Sequence, residues 1–419
     1  MKTIFKALFL FITLGMSAQQ SATKSEVVTK ALQEKVALTN TSIIKNISFS
    51  NIGPTIMSGR VADIDVNPND PTEFYVGYAS GGLWYTKNNG TSFIPLLDNS
   101  PTQNVGDIAV DWDNGTIWVG TGEKNSSRSS YAGIGMLKSY NQGKTWEHVG
   151  LSDSHHVSRI VINSNNPEEV VVGVIGHLYS PNEERGVFKT LDGGKTWKKT
   201  LFVNNDTGII DVVAAPENPN VLYAASWERE RKAWNFDGDG NHSAIYKSTD
   251  AGDTWENISN DNGFRNGAGV GRIGLSVYDE NTVYAIHDSQ FRRKSEKKEK
   301  KSSNGLIKED FKKMSTEEFL ALTDKNLNNY LRANRFQQKY TSKTVKKMVS
   351  QGTVMPIDLA KYLEDANSLL FDTPVEGAEV FVTTNGGKNW SKTHKNHIDG
   401  LYYSYGYYFG EIRVDPQDK

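Results

Sequence analysis

An eight-residue pattern that recurs five times constrains this chain more than any other feature of its sequence. It reads Ser/Thr, any residue, Asp/Asn, any residue, Gly, any residue, Ser/Thr/Asn, aromatic, and its copies occupy 86–93, 139–146, 190–197, 248–255 and 383–390. In a tight β-hairpin turn the Asp/Asn side chain accepts backbone hydrogen bonds and the Gly supplies a positive φ. The final aromatic residue begins the next strand and covers apolar surface. We call these five segments the repeat turns.

Two positions in each repeat turn are predicted to be structural, the Asp/Asn and the aromatic residue. They are Asn88 and Phe93, Asn141 and Trp146, Asp192 and Trp197, Asp250 and Trp255, and Asn385 and Trp390. We expect the four tryptophans to be largely buried between neighbouring sheets, because an aromatic ring is the largest apolar group available there.

The spacing of the repeat turns predicts the architecture. Successive turns end 53, 51, 58 and 135 residues apart, and periods near 50 indicate a propeller or another repeat array. Each period holds four short apolar segments, as one propeller blade does. The predicted inner strands are 59–66, 106–111, 158–163, 209–215 and 271–277. The sequence therefore predicts an all-β propeller of five four-stranded blades.

A sixth predicted inner strand, 410–415, follows the fifth repeat turn, and the sequence ends at Lys419. A blade without its remaining strands exposes a sheet edge. We therefore expect a sixth blade that is begun but not completed, an incomplete ring, and a chain that is a fragment of a longer protein.

The first 18 residues read as a secretory signal peptide. Lys2 and Lys6 precede an apolar run at 7–14, and small residues at 17–18 offer a cleavage site. The alternative is a membrane anchor, but the run is too short for ~30 Å of hydrocarbon. We predict export to the periplasm, the cell surface or the exterior, with a polar, weakly helical linker at 19–45.

Composition excludes several classes of site. A formal net charge of −2 gives no electrostatic case for nucleic-acid binding. The absence of cysteine excludes disulfides, thiolate metal ligands and cysteine nucleophiles. The glycine pair at Gly133 and Gly135 lacks the strand–turn–helix context of a dinucleotide site. We predict no cofactor.

An insertion separates two parts of the fifth blade. We assign 46–288 to the first four blades and half of the fifth, 289–376 to the insertion, and 377–419 to the remainder. The run 292–301 carries seven basic and two acidic residues and is expected to be a solvated segment. A capping box at Ser315 and Glu318 predicts one apolar-periodic helix, and two further helices are expected at 341–350 and 357–366.

Function is expected on the loops that join second to third strands, on the face opposite the repeat turns. These loops are long and chemically rich, and binding residues tend to lie on loops held by a rigid scaffold. The predicted binding residues are Glu123, Arg128, His177, Glu184, Arg185, Arg229, Arg231 and Trp234. They predict a carbohydrate or a protein/peptide ligand. The alternative is that these charges pair with one another and hold the loops.

Two further patterns resemble functional motifs, but they are too weak for us to predict a metal site or a catalytic residue from them. The stretch 237–241 resembles the start of a calcium loop, but His242 and Ser248 stand where a Gly and a bidentate Glu are required. His155, His156 and His177 have the chemistry of general bases, yet isolated histidines are more often hydrogen-bonded structural residues.

The eight-residue rule is that of the Asp-box, or BNR repeat. Segments 58–61, 79–84, 176–178 and 182–186 are similar to bacterial proteins with a sortilin-type N-terminal domain, in the wider sialidase- and xyloglucanase-like propeller group. The resemblance covers about 43–419 and implies an Asp-box β-propeller. The resemblance does not identify an activity, because Asp-boxes occur in enzymes and binding proteins alike.

Departures from the enzymes of that group favour binding. Sialidases need Arg-Ile-Pro, but neither Arg-Ile pair of this chain, at 159 and 272, is followed by proline. Xyloglucanases carry a catalytic Asp where this chain has Ala79 and Ser80, and a glycosidase needs two carboxylates. We expect a non-catalytic binding propeller. The alternative is a glycoside hydrolase-like enzyme whose acids lie partly beyond Lys419.

Overall fold

The computed structural model describes residues 22–47, 59–293, 305–334, 336–363, 375–398, 401 and 405–419. The predicted signal peptide at 1–18 and most of the basic run at 292–301 lie outside these residues. The described residues form five four-stranded antiparallel sheets and one two-stranded ribbon. The mostly-β class and the four strands per repeat are therefore confirmed.

Each sheet is a meander whose strands pair in chain order. Sheet 1 contains β1 (Val61–Val66), β2 (Phe74–Tyr78), β3 (Gly82–Thr86) and β4 (Ile94–Pro95). Sheet 2 contains β5 (Val105–Asp111), β6 (Thr116–Thr121), β7 (Met136–Ser139) and β8 (Glu147–His148). Sheet 3 contains β9 (Val157–Asn163), β10 (Asn166–Val174), β11 (Gly186–Thr190) and β12 (Lys198–Leu201).

The last two sheets carry insertions between their second and third strands. Sheet 4 contains β13 (Thr207–Ala215), β14 (Asn218–Glu228), β17 (Ile245–Ser248) and β18 (Glu256–Asn257), with the ribbon β15 (Glu230–Arg231) and β16 (Phe236–Asp237) inserted. Sheet 5 contains β19 (Val270–Val277), β20 (Val283–Arg292), β21 (Val375–Thr383) and β22 (Ser391–Lys392). Because β20 runs to Arg292 and β21 starts at Val375, the insertion is shorter than the predicted 289–376.

The first strands of successive sheets pack side by side, in the order β1, β5, β9, β13 and β19. Carboxylates tie these inner strands together. Asp107 Oδ2 accepts from the backbone N–H of Ile160 at 2.7 Å, and Asp211 Oδ2 accepts from that of Leu275 at 2.9 Å. A carboxylate on one inner strand thus fixes the backbone of the next.

One hydrogen-bond scheme holds all five repeat turns. The hydroxyl of the first residue accepts from the glycine N–H at 2.8–3.0 Å. The Oδ1 atom of the Asp/Asn accepts from the N–H of the seventh residue at 2.9–3.0 Å. In the 190–197 turn, Gly194 has φ +92°, a conformation that side chains resist.

The four tryptophans of the repeat turns all pack against the hydrophobic clusters of the sheets, but they are buried to different degrees. Trp390 is 4% exposed, whereas Trp146, Trp197 and Trp255 are half-buried. Three of the rings also donate their Nε1–H to a carbonyl just after the last strand of the preceding sheet: Trp146 to Leu96, Trp197 to Val149 and Trp390 to Ile258. The bond to the preceding sheet is therefore made both by the buried ring of Trp390 and by the partly buried rings of Trp146 and Trp197.

Helices occur before the first sheet, in the insertion and near the end of the chain. They are α1 (Ser25–Thr41), α2 (Lys308–Lys313), α3 (Thr316–Ala321), α4 (Asp324–Ala333), α5 (Ser342–Ser350), α6 (Pro356–Leu363) and α7 (Gly406–Phe409). Among the described residues, no helix is long and apolar enough to span a membrane.

The capping box at Ser315 and Glu318 is confirmed, but the single helix predicted after it is two. The chain leaves the helical conformation at Leu322, and Thr323 caps a new helix by accepting from the N–H of Asn326. A second N-cap thus interrupts the apolar period. The expected helices at 341–350 and 357–366 correspond to α5 and α6.

The predicted sixth inner strand, 410–415, is not a strand. It lies against β19, and Val414 N–H donates to Ser276 Oγ at 2.9 Å. A β-ladder needs a strand to pair with, and no other described strand pairs with this segment. The segment keeps the position of an inner strand without its hydrogen-bond ladder.

Candidate functional site

The loops between second and third strands line a cavity of about 720 Å³. Sheet 2 contributes Arg128 and Tyr131, sheet 3 contributes His177 and Tyr179, and sheet 4 contributes Lys232. Ala22, Thr23 and Val28, in and before α1, also line it. The cavity collects side chains that are distant in sequence because the same kind of loop emerges at the same edge of each sheet.

Arg185 holds the sheet 3 loop in shape. Its Nε donates to Asn182 Oδ1 at 3.0 Å, and its Nη2 donates to the carbonyls of His177 at 2.8 Å and Ser180 at 3.0 Å. Arg229, from sheet 4, donates to the same His177 carbonyl at 3.3 Å. Two buried guanidinium groups therefore clamp one loop against two sheets.

The hydrogen-bond acceptors of this clamp are amide and carbonyl oxygens rather than carboxylates. Burial, with Arg185 and Arg231 nearby, lowers the pKa of Arg229 well below its ordinary value. Burial lowers the pKa of Arg185 to about 10, although Asp206 offsets part of that effect. A lowered arginine pKa means that the positive charge is poorly compensated, so an anion at this place would be stabilised.

Two histidines and one aspartate meet at the edge of the cavity. His177 Nε2 is 3.1 Å from Asp153 Oδ1, and His155 Nε2 is 3.9 Å from the same atom. The two imidazole rings stack with centroids 3.7 Å apart. Burial and the neighbouring His177 lower the pKa of His155 to about 4. Sequence reasoning considered both histidines but missed Asp153, whose position two residues before His155 was the available clue.

The structure gathers six of the eight predicted binding residues around the sheet 3 loop, 175–185. The hydroxyl of Tyr179 donates to the Arg128 carbonyl at 3.1 Å, and Arg128 and Arg231 are close enough to influence each other. The six residues near this loop are Arg128, His177, Glu184, Arg185, Arg229 and Arg231. Their role in binding stays a prediction.

Glu123 and Trp234 are placed differently. Glu123 is buried and pairs with Arg60, whose Nε is 2.7 Å from Glu123 Oε1, and the Tyr408 hydroxyl donates to the same carboxylate at 3.0 Å. Trp234 is 77% exposed in the turn of the β15–β16 ribbon. Glu123 is thus paired, but with an arginine that precedes β1 and not with another charge of the second-to-third-strand loops.

A buried charge network between the inner strands was missed from the sequence. Arg159 Nε is 2.9 Å from Asp211 Oδ1, and its Nη1 is 3.3 Å from Asp107 Oδ1. Lys124 Nζ lies 3.3 Å from Asp107 and 3.6 Å from Glu411. Burial, helped by Asp63, raises the pKa of Asp107 despite these cations. Charged residues on inner strands were the available signal.

Comparison with known proteins gives one family match. The family model described as Sortilin, neurotensin receptor 3 (Sortilin-Vps10) matches residues 135–355, from the loop before β7 through α5. A search of curated protein sequences found no match.

Three solved structures illustrate the structural likenesses. The GH74 enzyme of Niastella koreensis is 17% identical, with a TM-score of 0.47 over 85% of this chain and 42% of that one. The GH74 xyloglucanase of Xanthomonas campestris is 13% identical, with a TM-score of 0.41 over 86% and 50%. YCF48 from Cyanidioschyzon merolae is 13% identical, with a TM-score of 0.29 over 56% and 81%. This chain spans at most half the length of these two GH74 enzymes.

Proposed function

This chain belongs to the Sortilin-Vps10 family, and from that premise we propose that it is an exported β-propeller that binds a protein or peptide ligand. The proposed ligand site is the cavity lined by Arg128, His177 and Lys232, on the face opposite the repeat turns. The family description names a neurotensin receptor, and a receptor is a binding protein. Five sheets with the same repeat turn support five blades.

The observation that carries this proposal is the pair of buried arginines, Arg185 and Arg229, whose acceptors are neutral oxygens. Their charge adds to that of Arg128, which lines the cavity. Low-dielectric walls strengthen the resulting field. The ligand is therefore expected to present a carboxylate to this cavity, as an acidic peptide segment does.

Hydrolysis is the less favoured alternative at this cavity. Glu230 lines it, but its carboxylate is paired with Lys232 at 3.0 Å. Asp153 is engaged with His177 at 3.1 Å. A glycosidase needs one carboxyl group as an acid and another as a nucleophile or base, and both of these groups are occupied by a cationic or imidazole partner.

The binding proposal is tested on the full chain with labelled acidic, neutral and basic peptides of equal length. We expect the acidic peptide to bind best and Arg128→Ala to weaken it about tenfold, or ~1.4 kcal/mol. Rising salt should weaken binding further, because Arg128 is exposed and its charge is screened. The matched control is Lys195→Ala, which removes an exposed cation from a repeat turn.

Three outcomes would overturn the proposal. Binding of the acidic peptide that Arg128→Ala leaves unchanged would move the site elsewhere. Binding of acidic glycans in place of any peptide would assign a carbohydrate ligand. Turnover of a glycan by the purified chain would support the hydrolase alternative.

A further inference from the structure

We propose that Asp153, His155 and His177 bind one divalent transition-metal ion, with Zn²⁺ as the reference ion, at the edge of the loop cavity. Each residue offers one donor atom, and the three atoms lie within 4.8 Å of one another. The metal proposal does not require the proposed peptide ligand, although His155 and His177 also line its cavity.

The distances between the donor atoms are close to those found between the ligand atoms of a zinc site. With Zn–N and Zn–O bonds of about 2.0–2.1 Å, donor atoms of a tetrahedral site lie roughly 3.3 Å apart. The 3.1 Å between Asp153 Oδ1 and His177 Nε2 already matches this spacing, and the 3.9 Å to His155 Nε2 exceeds it slightly. The rings are inclined by 24°, and both Nε2 atoms lie within 3.9 Å of the same carboxylate oxygen of Asp153.

The residues around the donors fix their orientation. His177 Nδ1 lies 2.9 Å from Ser180 Oγ, which leaves Nε2 directed towards Asp153. Asn182 binds the backbone of His177 and that of Asp153. Its Oδ1 accepts from His177 N–H, and its Nδ2 donates to the Asp153 carbonyl. Such outer contacts typically set the tautomer and the ring orientation of a metal ligand. The donors come from two loops that the same asparagine joins.

His155 is held in an unusual conformation at the same place. Its φ is +53°, a left-handed value that is uncommon for residues other than glycine. Its carbonyl accepts from Gly133 N–H at 2.7 Å, which fixes the segment against the sheet 2 loop. Strained backbone of this kind is concentrated at functional sites. The imidazole of this residue is the one that stacks on His177.

The chemistry of the donors selects the class of metal. Two imidazoles and one carboxylate suit Zn²⁺ and neighbouring divalent transition metals, whereas Mg²⁺ and Ca²⁺ prefer oxygen ligands. His155 and His177 line the cavity, and the Asp153 side chain is 37% exposed, so an ion has a path to the site. Three protein ligands leave a fourth position open, where water or a ligand oxygen would bind.

The proposal is tested by titrating the EDTA-treated full chain with Zn²⁺ in a calorimeter and with Co²⁺ in a visible spectrometer. We expect one ion per chain and visible Co²⁺ bands typical of low coordination. His155→Ala, His177→Ala and Asp153→Asn should each reduce Zn²⁺ affinity at least tenfold. His242→Ala is the matched control, because its imidazole lies 3.0 Å from Glu228 and the residues that the structure describes add no third donor to this pair.

Folding is monitored by circular dichroism of each metal-free variant. Asp153→Asn is decisive if a histidine variant unfolds, because it keeps the shape of a partly exposed side chain. Stoichiometric Zn²⁺ binding that Asp153→Asn leaves unchanged would overturn the site, as would the absence of Zn²⁺ and Co²⁺ binding by the unmodified chain. Loss of binding in His242→Ala alone would assign the ion elsewhere. Peptide binding by EDTA-treated protein separates this result from the ligand proposal.

Discussion

The indole N–H of Trp197 donates to the backbone carbonyl of Val149 at 2.6 Å, and this bond joins sheet 3 to the end of sheet 2. The repeat turn therefore does two things. Its Asp192 closes the turn, and its aromatic residue reaches the preceding sheet. Trp146 and Trp390 make the equivalent bonds to Leu96 at 2.8 Å and to Ile258 at 2.9 Å.

Trp197→Phe and Trp197→Ala should separate the hydrogen bond from ring packing. We expect Trp197→Phe to lower the free energy of unfolding by about 1–2 kcal/mol, because the Val149 carbonyl loses its donor. Trp197→Ala should cost about 3 kcal/mol, at the low end for a large aromatic because the ring is half-buried. Urea denaturation measures both, and Lys195→Ala serves as an exposed control in the same turn. A loss below about 1 kcal/mol in Trp197→Ala would contradict the role of the ring.

Local repetition explains why the strands could be predicted and several of their contacts could not. The repeat turns fix where each third strand ends and each fourth begins, and β9 lies within one residue of its predicted bounds, 158–163. The half-burial of Trp197 depends on where the neighbouring sheet ends, which the eight-residue rule does not contain. Asp153 and His177 lie on different loops, and their distance is set by sheet packing rather than by sequence spacing.

Asp192→Asn should change the acid stability of the protein more than its stability at neutral pH. Hydrogen bonds from Thr196, first from its hydroxyl and then from its backbone, lower the pKa of Asp192 to about 2. A lowered carboxyl pKa contributes stability that is full above about pH 4 and is lost as pH falls towards 2. Asparagine occupies the same position in three other repeat turns and cannot titrate.

The measurement is the unfolding temperature between pH 2 and pH 7 for both proteins. We expect similar values at pH 7 and a smaller decline for Asp192→Asn below pH 4. Asp250→Asn should behave in the same way, because the pKa of Asp250 is also about 2. Parallel curves over the whole range would show that this carboxylate is not coupled to folding.

Arg159→Met should destabilise the inner strands strongly. It leaves Asp107 and Asp211 buried without the guanidinium that lies 3.3 Å from one and 2.9 Å from the other. Removing one partner of a buried charge network typically costs about 3–5 kcal/mol. Urea denaturation gives the loss, and the second variant Asp107→Asn in the same chain should recover part of it by removing one unpaired charge.

The same Arg159→Met variant has a defined pH dependence. Burial already raises the pKa of Asp107, and removing Arg159 takes away a group that lowers it. A raised carboxyl pKa favours the folded state at low pH, and that advantage is lost as pH rises. The destabilisation should therefore be smaller at pH 5.5 than at pH 8. A loss that does not change between these values would show that Asp107 is not the group affected.

Arg185→Lys should loosen the sheet 3 loop without unfolding the protein. Arg185 donates from Nε to Asn182 and from Nη2 to both His177 and Ser180, and a lysine ammonium cannot reproduce that planar set. Hydrogen exchange should increase at the amides of 177–185 while β10 and β11 keep their protection. Binding of an acidic peptide should weaken about tenfold even though the charge is retained, because the loop that shapes the cavity moves.

Lys198→Arg, a change at an exposed site on β12, is the control and should alter neither measurement. Unchanged exchange in the loop together with weaker peptide binding would instead identify Arg185 as a direct ligand contact.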